Sequence, residues 1–471
     1  MNKFLLILSV LLYMHPANAL QIPGRDITID LYAEVREPLA VKLAYYYGNR
    51  VYLQDSMTIN PGTTLTCSGH FREGIYLLVF SDSGIYEFMI GEQDRYSVSI
   101  FRSKGAYRCS IQGDPITIAF DAYNKKTAAI LDSIGSLKQE ISSKSTAIDK
   151  DEAATVIARL TDSLNVVKAG FAERYTGTFL GHYLQAQIPV SFPGYRKRNS
   201  LSETDSVSWL MNLHYYRDHF LDNISWNDPR LIFTPVLEEK INEYLDKIVR
   251  YDAGSQKNAI DTLMDRSDHR KVRQFIAEVL LSRFGRSKHK PVDEYAYLYL
   301  IDTYYLKEDP SWVNEEQLKA LKEEYTRLLP VSLHQKAPDL TLPDRNNRPV
   351  SLYVADSGFL LLFFWDYSCD HCSRIIRDLA LLVSKYSYLD LQVFTVFTGE
   401  DTDIWKAYLA RKFPGSWIHT RQPENGPKAT DTYNVSFIPC IFLLDGNKTI
   451  VSKHVTIPEL DTYFFQAAGS R

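Results

Sequence analysis

The order of hydrophobic and polar residues changes twice along the chain, and each change marks a region of different predicted structure. Before residue 115 the apolar positions form short, strand-like stretches. Residues 75–80 and 85–90 flank a Ser-Asp-Ser-Gly turn, as in a β-hairpin. Residues 96–101 alternate between apolar and polar, which is typical of a half-buried strand. Residues 20–114 are therefore predicted to form an all-β, sandwich-like N-terminal domain.

From residue 115 the apolar spacing becomes helical. Leu237, Ile241 and Leu245 recur at four-residue intervals with charged residues between them, which indicates an amphipathic helix that faces a core. Asn314 and Gln317 have the spacing of a helix N-cap and its reciprocal partner. The middle region, residues 115–330, is predicted to be mostly α-helical.

After residue 330 strands and helices alternate. Residues 359–365 and 391–397 are continuous apolar runs, which is the pattern of strands covered on both faces. An amphipathic helical segment lies between them. A strand, a helix and a second strand in this order predict a βαβ unit with parallel strands, so residues 331–471 are expected to form an α/β domain.

The first residues have the features of a secretory signal peptide. Lys3 precedes the apolar run 4–13, and Pro16 is followed by Ala17-Asn18-Ala19. The run is shorter than the ~20 residues that a membrane-spanning helix needs. We expect residues 1–19 to be cleaved after Ala19 and the mature protein to be periplasmic, where disulfides can form.

Composition narrows the classes of function. The chain has 471 residues, 45% of them hydrophobic and 23% charged, with a formal net charge of -4. Binding nucleic acid through its phosphates needs a concentrated basic surface, so a dominant nucleic-acid role is not expected. No later stretch of the sequence has the length and hydropathy of a membrane span, and none is predicted in the mature chain.

Two of the five cysteines, Cys369 and Cys372, lie where the first apolar strand gives way to the helix. A zinc site uses about four ligands, and no second CxxC pair accompanies this one. Attachment of haem requires His directly after the second cysteine, where Ser373 stands. No metal is therefore predicted, while a purely structural bridge remains an alternative to a redox pair.

The predicted position at the start of a helix favours redox chemistry. Helix N-termini stabilise negative charge, and the thiolate is the nucleophilic form of cysteine. His371 can add positive charge beside the Cys369 thiolate. Cys372, one turn later, can attack a mixed disulfide on Cys369 and release the product. No cofactor is expected beyond a redox-active Cys369–Cys372 disulfide.

The segments WDYSCDHC and VSFIPCIFLLDGNKTI resemble the thioredoxin-like fold over about residues 330–471. More narrowly, they resemble the TlpA/ResA-like exported thiol-disulfide oxidoreductases, in the multidomain form common in Bacteroidetes. The resemblance implies a cis peptide bond before Pro439 that packs against the cysteines. It also implies a substrate groove shaped by Trp365, Tyr367, Ile438 and Pro439.

The same resemblance implies a reductase that exchanges protein disulfides or dithiols and receives electrons from a membrane donor. Cys369 would be the nucleophile and Cys372 the resolving thiol. Asp370 and His371 would tune the pair and could shift it toward oxidation or isomerisation, because stabilising the thiolate makes the disulfide a stronger oxidant.

The sequence departs from the family at Phe363, at Ser368, where Trp is common, and at Cys440. Many thioredoxins carry a buried acid six residues before the first cysteine, where this chain has Phe363. Water, Asp366 and Glu400 are the alternative proton acceptors for Cys372. Cys440, directly after the predicted cis-proline, is expected to be an inert buried thiol, with an alternative disulfide to the active pair as the competing hypothesis.

Cys67 and Cys109 both fall in the predicted β domain of an exported protein, so a structural disulfide between them is a hypothesis. For the whole chain, the favoured function is that of a periplasmic thiol-disulfide oxidoreductase. The alternative is a protein of the cell envelope that binds a partner or ligand, with the thioredoxin-like domain as an accessory.

Overall fold

The structure is a computed structural model, and it describes residues 24–80, 84–103, 106–143, 147–190, 203–308 and 311–469. The predicted signal peptide lies outside these ranges. The chain forms two compact units, Met1–Arg250 with Asp261–Ile276, and Tyr251–Ile260 with Ala277–Arg471. The domain boundaries drawn from the sequence stay predictions. Within the described residues, no helix has the length and apolar character needed to cross a membrane.

The N-terminal strands form two four-stranded sheets, ordered β4-β1-β7-β8 and β3-β2-β5-β6. Residues of both sheets, including Ile29, Leu43, Leu78 and Val98, are buried in one shared core. This arrangement confirms the predicted all-β, sandwich-like region. The strands are β1 Arg25–Glu34, β2 Leu39–Tyr47, β3 Arg50–Ile59, β4 Thr64–Phe71, β5 Gly74–Phe80, β6 Ile85–Ile90, β7 Arg95–Ser103 and β8 Ala106–Gln112.

The structure corrects the predicted Cys67–Cys109 disulfide. Cys67 is on β4 and Cys109 is on β8, at opposite edges of one sheet with β1 and β7 between them. Three strand spacings of about 4.8 Å separate the two positions, whereas a disulfide needs Cα atoms within about 7 Å. Both cysteines are buried free thiols.

Helices dominate the middle of the chain, as predicted. The buried face of α5 includes Leu237, Ile241 and Leu245. At the start of α9 the Asn314 side chain and Gln317 form the predicted capping box. The helices are α1 Pro115–Ser143, α2 Ala147–Arg174, α3 Phe179–Gln185, α4 Glu203–Asp218, α5 Val236–Lys247, α6 Ala253–Met264, α7 Arg270–Ser287, α8 Pro291–Leu300 and α9 Glu315–Leu328.

The C-terminal region is built on a five-stranded sheet, ordered β13-β12-β11-β14-β15, with a separate β9–β10 hairpin. The strands are β9 Thr341–Pro343, β10 Pro349–Ser351, β11 Phe359–Trp365, β12 Leu391–Phe397, β13 Ile418–Arg421, β14 Cys440–Asp445 and β15 Ile450–Lys453. The helices are α10 Asp370–Lys385, α11 Thr402–Lys412, α12 Ala429–Thr432 and α13 Ile457–Gly469.

The predicted βαβ unit is confirmed as β11, α10 and β12, with the two strands parallel. Successive residues of a strand point to opposite faces of its sheet, and both faces of β11 are covered. Leu361, Phe363 and Trp365 pack with α10, α11 and α13 on what we call the α10 face. Leu360, Leu362 and Phe364 pack in the core of the opposite face, which includes Val292 and Tyr295 of α8. This double covering explains the continuous apolar run in the sequence.

Candidate active site

Cys369 lies at the junction between β11 and α10, as the sequence predicted. It is the N-cap residue of α10, with an extended backbone. The preceding turn is fixed by Asp366, whose Oδ1 accepts hydrogen bonds of 2.7 Å from both the main-chain N–H and the hydroxyl of Ser368. The Cys369 side chain is half-buried. The sulfur therefore stands at the positive end of the dipole of α10.

Cys372 lies one helical turn behind Cys369 and is 1% exposed. Its main-chain N–H donates to the Cys369 carbonyl oxygen at 3.0 Å. Burial raises the pKa of the Cys372 thiol to about 12, with further contributions from Cys369 and the Asp366 charge. A hydrogen bond from the main chain of Asp366 partly offsets the rise in pKa. The two cysteines thus differ in access, one half-open and the other enclosed.

The peptide bond between Ile438 and Pro439 is cis, as the resemblance implied. The carbonyl oxygen of Ile438 accepts a long contact of 3.9 Å from the Cys369 sulfur. Both Ile438 and Pro439 are half-buried. The structure therefore brings the CxxC pair and the cis-proline loop together from segments that are 69 residues apart.

Trp365 does not shape a surface groove, contrary to the sequence prediction. It is 0% exposed because it follows Leu361 and Phe363 on the α10 face of β11. Its ring packs against Phe413 with ring centroids 4.6 Å apart. Tyr367, two residues later, is half-buried and stacks on Phe397 at 5.7 Å.

Asp370 and His371 are both exposed in the first turn of α10, beside Cys369. Phe363, in place of the expected acid, is fully buried on the same face as Cys372. Phe363 therefore contributes an apolar ring rather than a carboxylate to the core that encloses Cys372.

Among the proposed proton acceptors, Asp366 is the carboxylate that acts electrostatically on Cys372. The Oδ2 atom of Asp366 lies close to Gly399. A Cβ atom at Gly399 would be 2.3 Å from that oxygen. Glycine at this position lets the loop after β12 pack closely against the carboxylate. Glu400, the other candidate, is exposed.

Cys440 lies on the face of the sheet away from α10. It pairs in register with Phe364 of β11, and both residues belong to the core of the opposite face. Cys372 belongs to the core of the α10 face. Burial raises the pKa of the Cys440 thiol to about 12, and its sulfur lies 3.3 Å from Nδ1 of His454. This placement favours the inert thiol over an alternative disulfide with the active pair.

Sequence reasoning missed Phe437 and His454. Phe437 precedes the cis-proline by two residues, and its ring, 53% exposed, stacks on His454. The only sequence signal for Phe437 was an aromatic residue within the VSFIPC loop. His454 carried no signal, because it reaches the loop from the far end of β15.

The sequence and the structure were compared with known protein families and solved structures. Residues 358–450 match a protein family described as thioredoxin-like. That match confirms the thioredoxin-like resemblance found in the sequence, and this part of the chain is a thioredoxin-like domain. No curated protein gives a significant match to the chain.

Several solved structures are similar to the chain. A thioredoxin-like protein from Bacteroides caccae is 21% identical, with a TM-score of 0.43, over 59% of this chain and 99% of its own. A domain of a possible thiol-disulfide isomerase from Cytophaga hutchinsonii is 28% identical, with a TM-score of 0.28, over 29% of this chain and 94% of its own. The thioredoxin domain of a thiol-disulfide oxidoreductase from Bacteroides vulgatus is 20% identical, with a TM-score of 0.27, over 29% of this chain and 97% of its own.

Proposed function

We propose that this protein is an exported thiol-disulfide oxidoreductase of the TlpA/ResA-like type that reduces protein disulfides in the periplasm. The observation that carries the proposal is the asymmetry of the two cysteines. Cys369 is half-buried at a helix N-cap beside the Ile438 carbonyl, while Cys372 is enclosed one turn behind it. An accessible first thiol with a second thiol one turn away suits exchange through a mixed disulfide.

In the first step the Cys369 thiolate attacks one sulfur of a substrate disulfide. A new bond forms between Cys369 and that sulfur, the substrate S–S bond breaks, and the departing sulfur takes the electron pair and then a proton from water. The Ile438 carbonyl, 3.9 Å from the Cys369 sulfur, lies where the main chain of a bound substrate would pass. The substrate is then held covalently on Cys369.

In the second step Cys372 attacks the Cys369 sulfur and forms a bond to it. The bond between Cys369 and the substrate breaks, and the second substrate sulfur leaves as a thiol with that electron pair and the proton that Cys372 has lost. The Cys372 thiol must first lose a proton, and its raised pKa of about 12 makes a nearby base necessary. We assign this role to Asp366, which is the carboxylate that acts on Cys372. The product is a Cys369–Cys372 disulfide, which a membrane electron donor would reduce for the next cycle.

The test is disulfide reduction by the mature chain, starting from the dithiol form. Wild type and Cys440→Ser should both be active, because Cys440 lies on the face of the sheet away from Cys372. Cys369→Ser should be inactive while retaining the wild-type circular dichroism spectrum. Cys372→Ser should accumulate a covalent complex with the substrate that dissolves in dithiothreitol.

Equal activity in wild type and Cys369→Ser would end the enzyme proposal and favour the binding function. The direction is tested separately by the reduction potential of the Cys369/Cys372 couple. A value near that of thioredoxin, about -270 mV, supports a reductase, whereas one near that of DsbA, about -120 mV, would make the protein an oxidant.

A further inference from the structure

Phe437 exposes a large apolar ring beside the proposed site. It lies directly before Ile438, whose carbonyl contacts the Cys369 sulfur, and its side chain is 53% exposed. The ring stacks on the imidazole of His454, with centroids 5.1 Å apart and an interplanar angle of 29°. Phe437 is therefore exposed to solvent on one side and packed against His454 on the other.

His454 is anchored where it supports this ring. It directly follows β15 and adopts a left-handed backbone conformation, with φ of 52°. Its Nδ1 lies 3.3 Å from the Cys440 sulfur, and its ring centroid lies 5.9 Å from that of Phe442. A column of rings thus runs from the core at Phe442, through His454, to the surface at Phe437.

The support beneath Phe437 is uncharged at neutral pH. Burial lowers the pKa of His454 to about 4, and electrostatic interactions with Lys453 and His289 add to the effect. The thiol of Cys440 also stays neutral, because its burial raises its pKa to about 12. The imidazole therefore acts as a flat aromatic surface, and the exposed face of Phe437 forms an apolar platform.

The platform lies close to the path of a substrate. Consecutive Cα atoms are about 3.8 Å apart, so Phe437 is one residue away from the carbonyl that contacts the attacking sulfur. A peptide that presents its disulfide to Cys369 and runs along Ile438 would pass within one residue of Phe437. Burying an apolar side chain against the ring is favourable, whereas a small polar one gains little.

We propose that Phe437, positioned by His454, is a specificity-determining residue that selects protein disulfides in which an apolar side chain flanks the attacked cysteine. This inference rests on the proposed function.

The test uses two disulfide peptides that differ only in a Leu or a Ser next to the attacked cysteine. Wild type should reduce the Leu peptide with kcat/KM about tenfold higher than the Ser peptide, the lower end of the range that a small apolar contact provides. Phe437→Ser should bring this ratio close to one, while Phe437→Tyr should keep it.

His454→Asn tests the positioning role, because Asn accepts the left-handed backbone but removes the ring. It should lower the Leu-to-Ser ratio mainly by raising KM for the Leu peptide. The matched control is Phe465→Ser on α13, which removes another exposed Phe ring, 73% exposed, and should leave the ratio unchanged.

A wild-type ratio near one, or an undiminished ratio in Phe437→Ser, would overturn the inference while the proposed function stands. Failure of wild type to reduce either peptide would overturn both. The reduction potential and circular dichroism spectrum of each variant confirm that a changed ratio comes from an intact domain.

Discussion

The Cys369 sulfur lies 3.9 Å from the carbonyl oxygen of Ile438, across 69 residues of sequence. One residue caps a helix and the other precedes a cis-proline, and the two loops meet at the same end of the sheet. Because Cys372 is enclosed behind this contact, the two thiols of the pair should behave differently toward any reagent in solution.

Alkylation should distinguish the two thiols. At about pH 7.5 a thiol of raised pKa stays protonated and reacts slowly. In the reduced protein we therefore expect iodoacetamide to label Cys369 about tenfold faster than Cys372, or more. Cys372 is 1% exposed, and its pKa is raised to about 12. Peptide mass mapping of quenched samples gives the two rates, and labelling in urea provides the control. Equal native rates would contradict the enclosed position of Cys372.

Replacement of Asp366, the proposed base, should slow the attack of Cys372 on the mixed disulfide. Asp366→Asn keeps an oxygen to accept the Ser368 hydrogen bonds but cannot take a proton from Cys372. We expect the rate of release from the mixed disulfide to fall by about a hundredfold, the lower range for loss of a general base. Quenched-flow analysis of the mixed disulfide measures this rate.

Glu400→Gln serves as the comparison, since Glu400 is the exposed alternative. Its resolution rate should match that of wild type. A larger loss in Glu400→Gln than in Asp366→Asn would transfer the role to Glu400.

The buried ion pair between Lys453 of β15 and Glu294 of α8 should be sensitive to loss of one partner. Their charged atoms are 2.5 Å apart, and their side chains are 2% and 4% exposed. Glu294→Gln leaves the ammonium group buried without its counter-charge, so we expect a loss of about 3–5 kcal/mol in the free energy of unfolding. Urea unfolding followed by circular dichroism measures it.

Two further variants complete this test. Glu323→Gln, on the exposed surface of α9, should change the free energy of unfolding by less than about 0.5 kcal/mol. Replacing both partners by Leu and Met should recover much of the loss, because a well-packed apolar pair avoids the cost of desolvation. A single variant as stable as wild type would show that the pair is not enclosed.

His454 should make the protein less stable as the pH falls. Its pKa drops from 6.5 to about 4 in the folded protein, through burial and electrostatic interactions with Lys453 and His289. The unfolded chain therefore binds the extra proton first, and the free energy of unfolding should decrease between pH 6.5 and about 4. His454→Asn should flatten this part of the profile relative to wild type. Parallel profiles of urea midpoint against pH would refute the assignment.

Cys67 and Cys109 should remain unpaired in the purified protein. They lie on opposite edge strands of one sheet, and burial raises their pKa values to about 11 and about 12. Mass mapping of the unreduced protein, alkylated in urea, should find both as carbamidomethyl derivatives. A peptide pair joined by a Cys67–Cys109 disulfide would require a strand order other than β4-β1-β7-β8.

The sequence by itself determined the local structure and the position of the cysteine pair in it. Two strand-like apolar runs around an amphipathic helix predicted the β11–α10–β12 unit, because the period of burial follows directly from backbone geometry. The same pattern located Cys369 at a helix start. The VSFIPC segment indicated the cis bond before Pro439 by resemblance. These features depend on residues that are neighbours in the chain.

Only the tertiary structure decided which side chains meet. Trp365 and Tyr367 are both aromatic residues just before the cysteine pair in the sequence. The alternation of side chains along β11 places Trp365 in the core of the α10 face. Cys440 and Cys372 look like possible partners until the register of β14 with β11 places them on opposite faces of the sheet.

Strand order likewise separated Cys67 from Cys109, because β1 and β7 lie between them. The stacking of Phe437 on His454 joins two loops through a sheet edge that no local pattern reveals. Contacts of this kind depend on strand order and register, which long-range packing determines and short sequence motifs do not.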